Sequence, residues 1–249
     1  MKNLIWLTIL FLSLVSCEEK PKYLQKIEGK QIPIATEIPV DSSIVQFIAP
    51  FKKSVEAEMN QVLAYSPTEL TKSRDKVENA IGNFMADLCY TRGNVVFKKR
   101  TNKNIDFVLL NFGGIRSGIP QGDITVGNAY ELMPFENSMV VAELTFEKIQ
   151  EFLAYMAKSG SHPFSKNLQL SFENKTLKSA KLNGKDFDKN QTYFVLTSDY
   201  LQNGGDRMNF FKNPVSLENL DYKIRNAIID ELKAIDTIIA KEDGRLIRQ

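Results

Sequence analysis

Histidine is nearly absent: the 249 residues contain one. Imidazole is the commonest metal ligand and the usual acid or base near neutral pH, so a hydrolytic metal centre built within this chain is disfavoured from the outset. Two cysteines cannot make a disulfide framework. No block of like charge stands out, and 32 basic residues against 30 acidic ones leave a formal charge of +2. That is too little to draw a protein onto nucleic acid. No apolar run approaches the about 20 residues that a membrane-spanning helix needs. What remains is 43% hydrophobic and 25% charged. This is an ordinary globular composition, which excludes disordered, collagen-like and multi-span membrane chains.

The N-terminus reads as an address. Lys2 precedes an apolar stretch over residues 4–12, and Leu14-Val15-Ser16-Cys17 follows. A basic region, a short apolar region and a small residue before the cut describe a secretory signal over residues 1–16. The last four residues resemble the bacterial lipobox, in which Cys17 becomes the acylated first residue of the mature protein. The competing reading is a plain signal peptide with an incidental cysteine. Each buried CH₂ of an acyl chain contributes about 0.8 kcal/mol, so two chains anchor stably. The expectation is therefore a protein of the bacterial cell envelope, lipid-anchored to a membrane outside the cytoplasm.

Residues 17–42 are polar and punctuated by Pro21, Pro33 and Pro39, as a tether would be. From Ile44 apolar residues recur at helical spacing through Val62 and Leu63 until Ser66-Pro67, predicting one amphipathic helix. A second helix is expected over 77–90. Strands are expected at 105–110, 139–144, 167–172, 176–182 and 192–197, with helices at 146–157 and 222–235. Asn183-Gly184 signals a tight turn and argues for antiparallel pairing in part. The interleaving predicts an α+β fold with a mixed sheet, one domain over 43–249.

Three loops concentrate chemistry. In Asn111-Phe112-Gly113-Gly114-Ile115-Arg116, paired glycines follow an apolar strand and present a planar, permanently charged fork suited to phosphate. The spacing fits neither a P-loop nor a dinucleotide fingerprint, and a strand-ending turn with a solvated arginine is the plainer alternative. Pro134-Phe135-Glu136-Asn137 sets an aromatic beside an amide. Asp199-Tyr200-Leu201-Gln202-Asn203-Gly204-Gly205-Asp206 sets an aromatic and carboxylates beside a glycine pair. Together these supply partners for phosphate, base faces, base edge and ribose hydroxyls. His162, in Ser161-His162-Pro163, reads as a surface loop residue. Cys89 reads as a buried small hydrophobe without a base to activate it.

These three segments, with Gly122-Asp123-Ile124-Thr125, Ile81-Gly82-Asn83 and Asp243-Gly244-Arg245-Leu246, resemble the C-terminal domain of the 5′-nucleotidases and UDP-sugar hydrolases over about residues 44–247. The resemblance implies that Arg116 contacts phosphate and that Asn111 reaches the base or nearby groups. Phe135 and Tyr200 would clamp the base, Asn137 would assist at its edge, and Asp206 would accept from the ribose hydroxyls. Tyr200 stands where phenylalanine is usual and Arg207 where glycine is usual. The family's arginine ahead of the opening helix has only Arg74 as a candidate counterpart.

In that family a separate N-terminal domain supplies two metal ions and the hydrolytic chemistry. With one histidine here, the resemblance implies no catalytic residue and no metal or cofactor of the chain's own. It implies the nucleotide-holding half of a split 5′-nucleotidase, whose separately encoded metallophosphatase partner carries two divalent metals. The alternative is a lipoprotein that captures nucleotides or nucleosides without turnover.

Overall fold

The computed structural model describes residues 23–34 and 38–249; the expected signal sequence and Cys17 lie outside the described residues. The described residues fall into two units, divided between Phe47 and Ile48. Residues 23–34 carry no helix or strand. Asp41 opens helix α1 (Ser42–Met59) by accepting from the backbone amides of Ser43 and Ile44 at 2.9 and 3.3 Å, the usual device for the orphan donors of a first turn. No described helix is long and apolar enough to cross a membrane.

The helical spacing that runs through Val62 and Leu63 misleads. The helix stops at Met59, and Val62–Ser66 is strand β1, antiparallel to β3 (Gly122–Thr125). Its burial shows why: Ala64 and Ser66 are buried while Tyr65 between them is exposed, the alternation of a strand. Helix α2 (Ala80–Thr101) is longer than the pattern over 77–90 predicts, because its C-terminal part turns a charged face outward. Inside it, a Cβ at Gly93 would lie 2.2 Å from Leu196 Cδ1, so the residue lets helix and sheet approach closely.

The unit is built around a four-stranded mixed sheet of order β2-β7-β4-β8, namely β2 (Phe107–Val108), β7 (Tyr193–Ser198), β4 (Ser138–Leu144) and β8 (Ser216–Lys223). The fold is α+β, as expected. Successive residues of the central strands serve opposite cores: Met139 and Val141 face α2 and α6 (Ile224–Ala234), whereas Ala142 and Leu144 face α4 (Phe146–Lys158). Leu196 and Val195 divide in the same way on β7. Each fully buried Leu, Ile or Phe of these layers contributes about 1.5–3 kcal/mol of transfer free energy. Beyond α4 lies a three-stranded sheet of order β6-β5-β9, from β5 (Leu168–Glu173), β6 (Thr176–Leu182) and β9 (Leu246–Arg248). Asn174 and Lys175, both with positive φ, turn β5 into β6. Asn183-Gly184 makes a second tight turn directly after β6.

Strand direction places the three loops of interest. β2 and β7 are parallel, and β4 is antiparallel to β7 with Met139 opposite Ser198. The C-terminal ends of β2 and β7 therefore share one edge of the sheet with the start of β4. Residues 111–118 follow β2, residues 133–137 precede β4, and 199–206 follow β7, so all three loops emerge together.

Candidate functional site

Where these loops meet there is an open cleft of about 330 Å³, lined by Asn111, Gly113, Gly114, Arg116, Phe135, Asn137, Tyr200 and Asp206. All six side chains singled out in the sequence are among them. Each loop is held by its own local chemistry. Ser198 caps the short helix α5 (Asp199–Gln202) by accepting from the Leu201 amide at 3.2 Å. Asp199 accepts from its neighbour's amide, Tyr200 N, at 2.7 Å and from Asn137 Nδ2 at 2.9 Å, tying the third loop to the second. Phe135 and Tyr200 are 42% and 46% exposed. Two large aromatics are thus left open to water on one cleft.

The sequence reading did not find what fixes Phe135. Arg225, in the first turn of α6, is buried and donates to the carbonyls of Met133 at 3.3 Å and Phe135 at 3.2 Å. It also pairs with Glu136, as does Lys223. Hydrogen bonds from Lys223 and Arg225 hold the Glu136 carboxyl down to about 2. The guanidinium of Arg225 lies 4.2 Å from the centroid of the Tyr130 ring. Two cations and a carboxylate therefore clamp the loop that presents the aromatic.

Asp206 is the centre of the other wall. Its carboxylate accepts from Asn111 Nδ2 at 2.7 Å and from Tyr200 Oη at 3.0 Å, while its own amide donates to the same phenol at 3.3 Å. The Tyr200 ring lies across Gly205, where a Cβ would stand 2.4 Å from it. Asp206 and Arg207 adopt φ of 50° and 62°. Arg207, where the family resemblance expects glycine, thus occupies a left-handed position at a cost of roughly 1–2 kcal/mol.

The rim is cationic. The Arg116 guanidinium sits 5.6 Å from the Phe135 ring centroid and donates to the Gly113 carbonyl at 3.4 Å. Lys72, which sequence reading passed over, donates to the Ile115 carbonyl and lies 4.7 Å from the Phe112 ring centroid. Burial, then the nearby charges of Arg116 and Arg74, lower its pKa from the ordinary lysine value. Three like charges gathered at one rim favour an anion. Arg74 lines an adjoining cleft of about 490 Å³ that shares Gly113 and Asp206 with the first. A larger groove of about 740 Å³ runs between α4 and β6. Of the four lysines that line it, Lys178 and Lys181 are paired with Glu173 and Asp186, and no loop of the sheet edge reaches it.

His162 corrects an expectation. It is not a solvated loop side chain but lies half-buried in the wall of the adjoining cleft, 5.5 Å between centroids from the Tyr155 ring, and burial brings its pKa down to about 4. Cys89 is buried, as expected, with its thiol pushed up to about 12 by desolvation. Among the described residues no three His, Cys, Asp or Glu side chains cluster to hold a metal ion. The donor set present does not fit a dinuclear metal centre.

The 5′-nucleotidase, C-terminal domain family matches residues 59–213, a span that holds all three loops. The chain belongs to this family. The trifunctional nucleotide phosphoesterase protein YfkN of Bacillus subtilis is 28% identical to it over 234 residues, which are 86% of this chain and 16% of that protein. Protein UshA of Escherichia coli is 23% identical over 227 residues, 88% of this chain and 40% of that protein. The 5′-nucleotidase precursor from Thermus thermophilus superposes with a TM-score of 0.68 at 25% identity, over 84% of this chain and 44% of that one. The chain thus spans less than half the length of each of these relatives. As a member of the 5′-nucleotidase C-terminal domain family, it shares its fold with the Thermus thermophilus structure.

Proposed function

We propose that the cleft holds a nucleoside phosphate or nucleotide sugar, and that the chain is the nucleotide-binding half of a split 5′-nucleotidase. Phe135 and Tyr200 stack on the two faces of the base. Asn137 and Asn111 reach its edge or nearby groups, Asp206 accepts from the ribose hydroxyls, and Arg116 takes the phosphate, with Lys72 and Arg74 beside it. A separately encoded metallophosphatase, bearing two divalent metals, docks at the cationic rim and cleaves the phosphate ester. The chain works from the cell envelope, tethered through acylated Cys17. The observation that carries the reading is the convergence of two exposed aromatics, two amides, a carboxylate and an arginine on one cleft.

Stacking contributes about 1–3 kcal/mol per base and a charge-assisted hydrogen bond about 1.5–3 kcal/mol, before the entropic costs of association. Measurable binding without turnover is what such an inventory provides. Calorimetric titration of the full chain with AMP tests this, combined with a phosphate-release assay in Mn²⁺ or Mg²⁺. The expected result is saturable heat and no release by the chain alone. Phe135→Ala and Tyr200→Ala should each weaken AMP by roughly 5- to 100-fold and leave inorganic phosphate nearly unchanged. Equal losses for AMP and phosphate, or robust hydrolysis by the isolated chain, would refute the assignment.

A further inference from the structure

Beside the cleft a continuous line of hydrogen bonds joins the Phe112 loop to Asp206. The Phe112 amide donates to His162 Nδ1 at 3.4 Å. His162 Nε2 lies 3.2 Å from Tyr155 Oη, and that hydroxyl donates to the Asp206 carbonyl at 3.0 Å. The direction of every bond follows from the first. A backbone N–H can only donate, so Nδ1 carries the lone pair and the proton of the neutral ring sits on Nε2. Nε2–H then donates to Tyr155 Oη, whose own hydrogen is left for the carbonyl. Charging the ring would put a proton on Nδ1 facing the Phe112 N–H. Burial keeps it neutral, reinforced by Arg248 and opposed by Asp206.

This line ends on the one residue whose carboxylate forms a wall of the cleft. Asp206 is held by its carbonyl from below and by its carboxylate from Asn111 and Tyr200 above, in a left-handed backbone conformation that an L-residue rarely keeps without such support. Tyr155 is itself seated by its ring, 5.5 Å between centroids from Phe210. We propose that Tyr155 and His162 are positioning residues of the cleft: they fix the Asp206 backbone so that its carboxylate stands ready for a sugar diol. Neither side chain lines the cleft between Phe135 and Tyr200, although His162 lines the adjoining one. The proposal rests on the nucleotide reading above and adds to it the source of discrimination between sugars.

The test compares AMP with 2′,3′-dideoxy-AMP, which lacks both sugar hydroxyls, by calorimetry on the full chain and on Tyr155→Phe, which removes one hydroxyl and keeps the ring. The wild-type chain should prefer AMP. In Tyr155→Phe, AMP binding should fall roughly 3- to 10-fold, the value of about one hydrogen bond, while the dideoxy ligand stays within about twofold, so that the preference collapses. A purely structural role would weaken both ligands alike and keep their ratio, which would overturn the proposal. So would a wild-type chain that binds the two equally. Should Tyr155→Phe not fold, His162→Gln carries the same expectation, since it interrupts the line one bond earlier. A wild-type chain that binds neither ligand would end the nucleotide reading itself, and this proposal with it.

Discussion

The lone histidine shows how far a residue's role depends on what packs over it. Between Ser161 and Pro163 it has the local sequence of a solvated loop, yet Tyr155 of α4 and the Phe112 loop close over it. Its burial makes stability depend on pH. The folded pKa of about 4 lies below the unfolded value near 6.5, so between these limits the unfolded chain binds more protons. The contribution is complete above pH 6.5 and is lost as pH falls towards 4, by about 3 kcal/mol in all. Denaturant unfolding at pH 7 and pH 4.5 should therefore show a larger loss in the wild-type chain than in His162→Gln. The carboxylates, Glu136 included, are common to both proteins and cancel in the comparison. Identical losses would show that the imidazole is solvated. Other residues were legible without the fold. Arg116, Phe135 and Tyr200 stand in turn-rich motifs where a charged fork or an aromatic has no core to enter. Lys72, Tyr155 and Arg225 were not legible, because each acts on a loop distant in sequence.

Among the elements, those with strong periodicity were read to within a residue or two. β5 alternates and α4 repeats because each is packed on one face, while β4 and β7 are apolar runs buried on both faces. β8 went unread, since Ser216–Lys223 is a sheet-edge strand whose sole buried residue is Leu220; a strand with little to bury leaves little pattern. β1 was absorbed into the preceding helix because Val62 and Leu63 happened to continue its spacing. The loop before β4 depends on an element that comes much later in the chain. Arg225 of α6 satisfies two of its carbonyls and half of the charge on Glu136. Arg225→Met should cost about 1–3 kcal/mol of stability, the penalty for leaving buried acceptors unpaired. It should also weaken AMP more than inorganic phosphate, because the Phe135 platform is loosened. Urea unfolding and calorimetry on the same preparation measure both; unchanged values would mean that the loop holds its shape without the clamp.

For the whole molecule, strand direction is decisive. Parallel β2 and β7 and antiparallel β4 bring three loops, separated by up to 95 residues as Asn111 and Asp206 are, to one edge of a sheet packed on both faces. Sequence alone supplied the loops and their chemistry, while their meeting point is a property of the sheet, which no local pattern encodes. The packed layers supply a rigid cleft with a charged rim, and in the split enzyme proposed above hydrolysis would fall to the partner. The most direct measurement is a crystal structure of the chain with AMP. The account predicts the base between the rings of Phe135 and Tyr200, the ribose hydroxyls on Asp206 and the phosphate at Arg116. AMP bound elsewhere, in the groove between α4 and β6 for instance, with this cleft empty at saturating ligand, would contradict it.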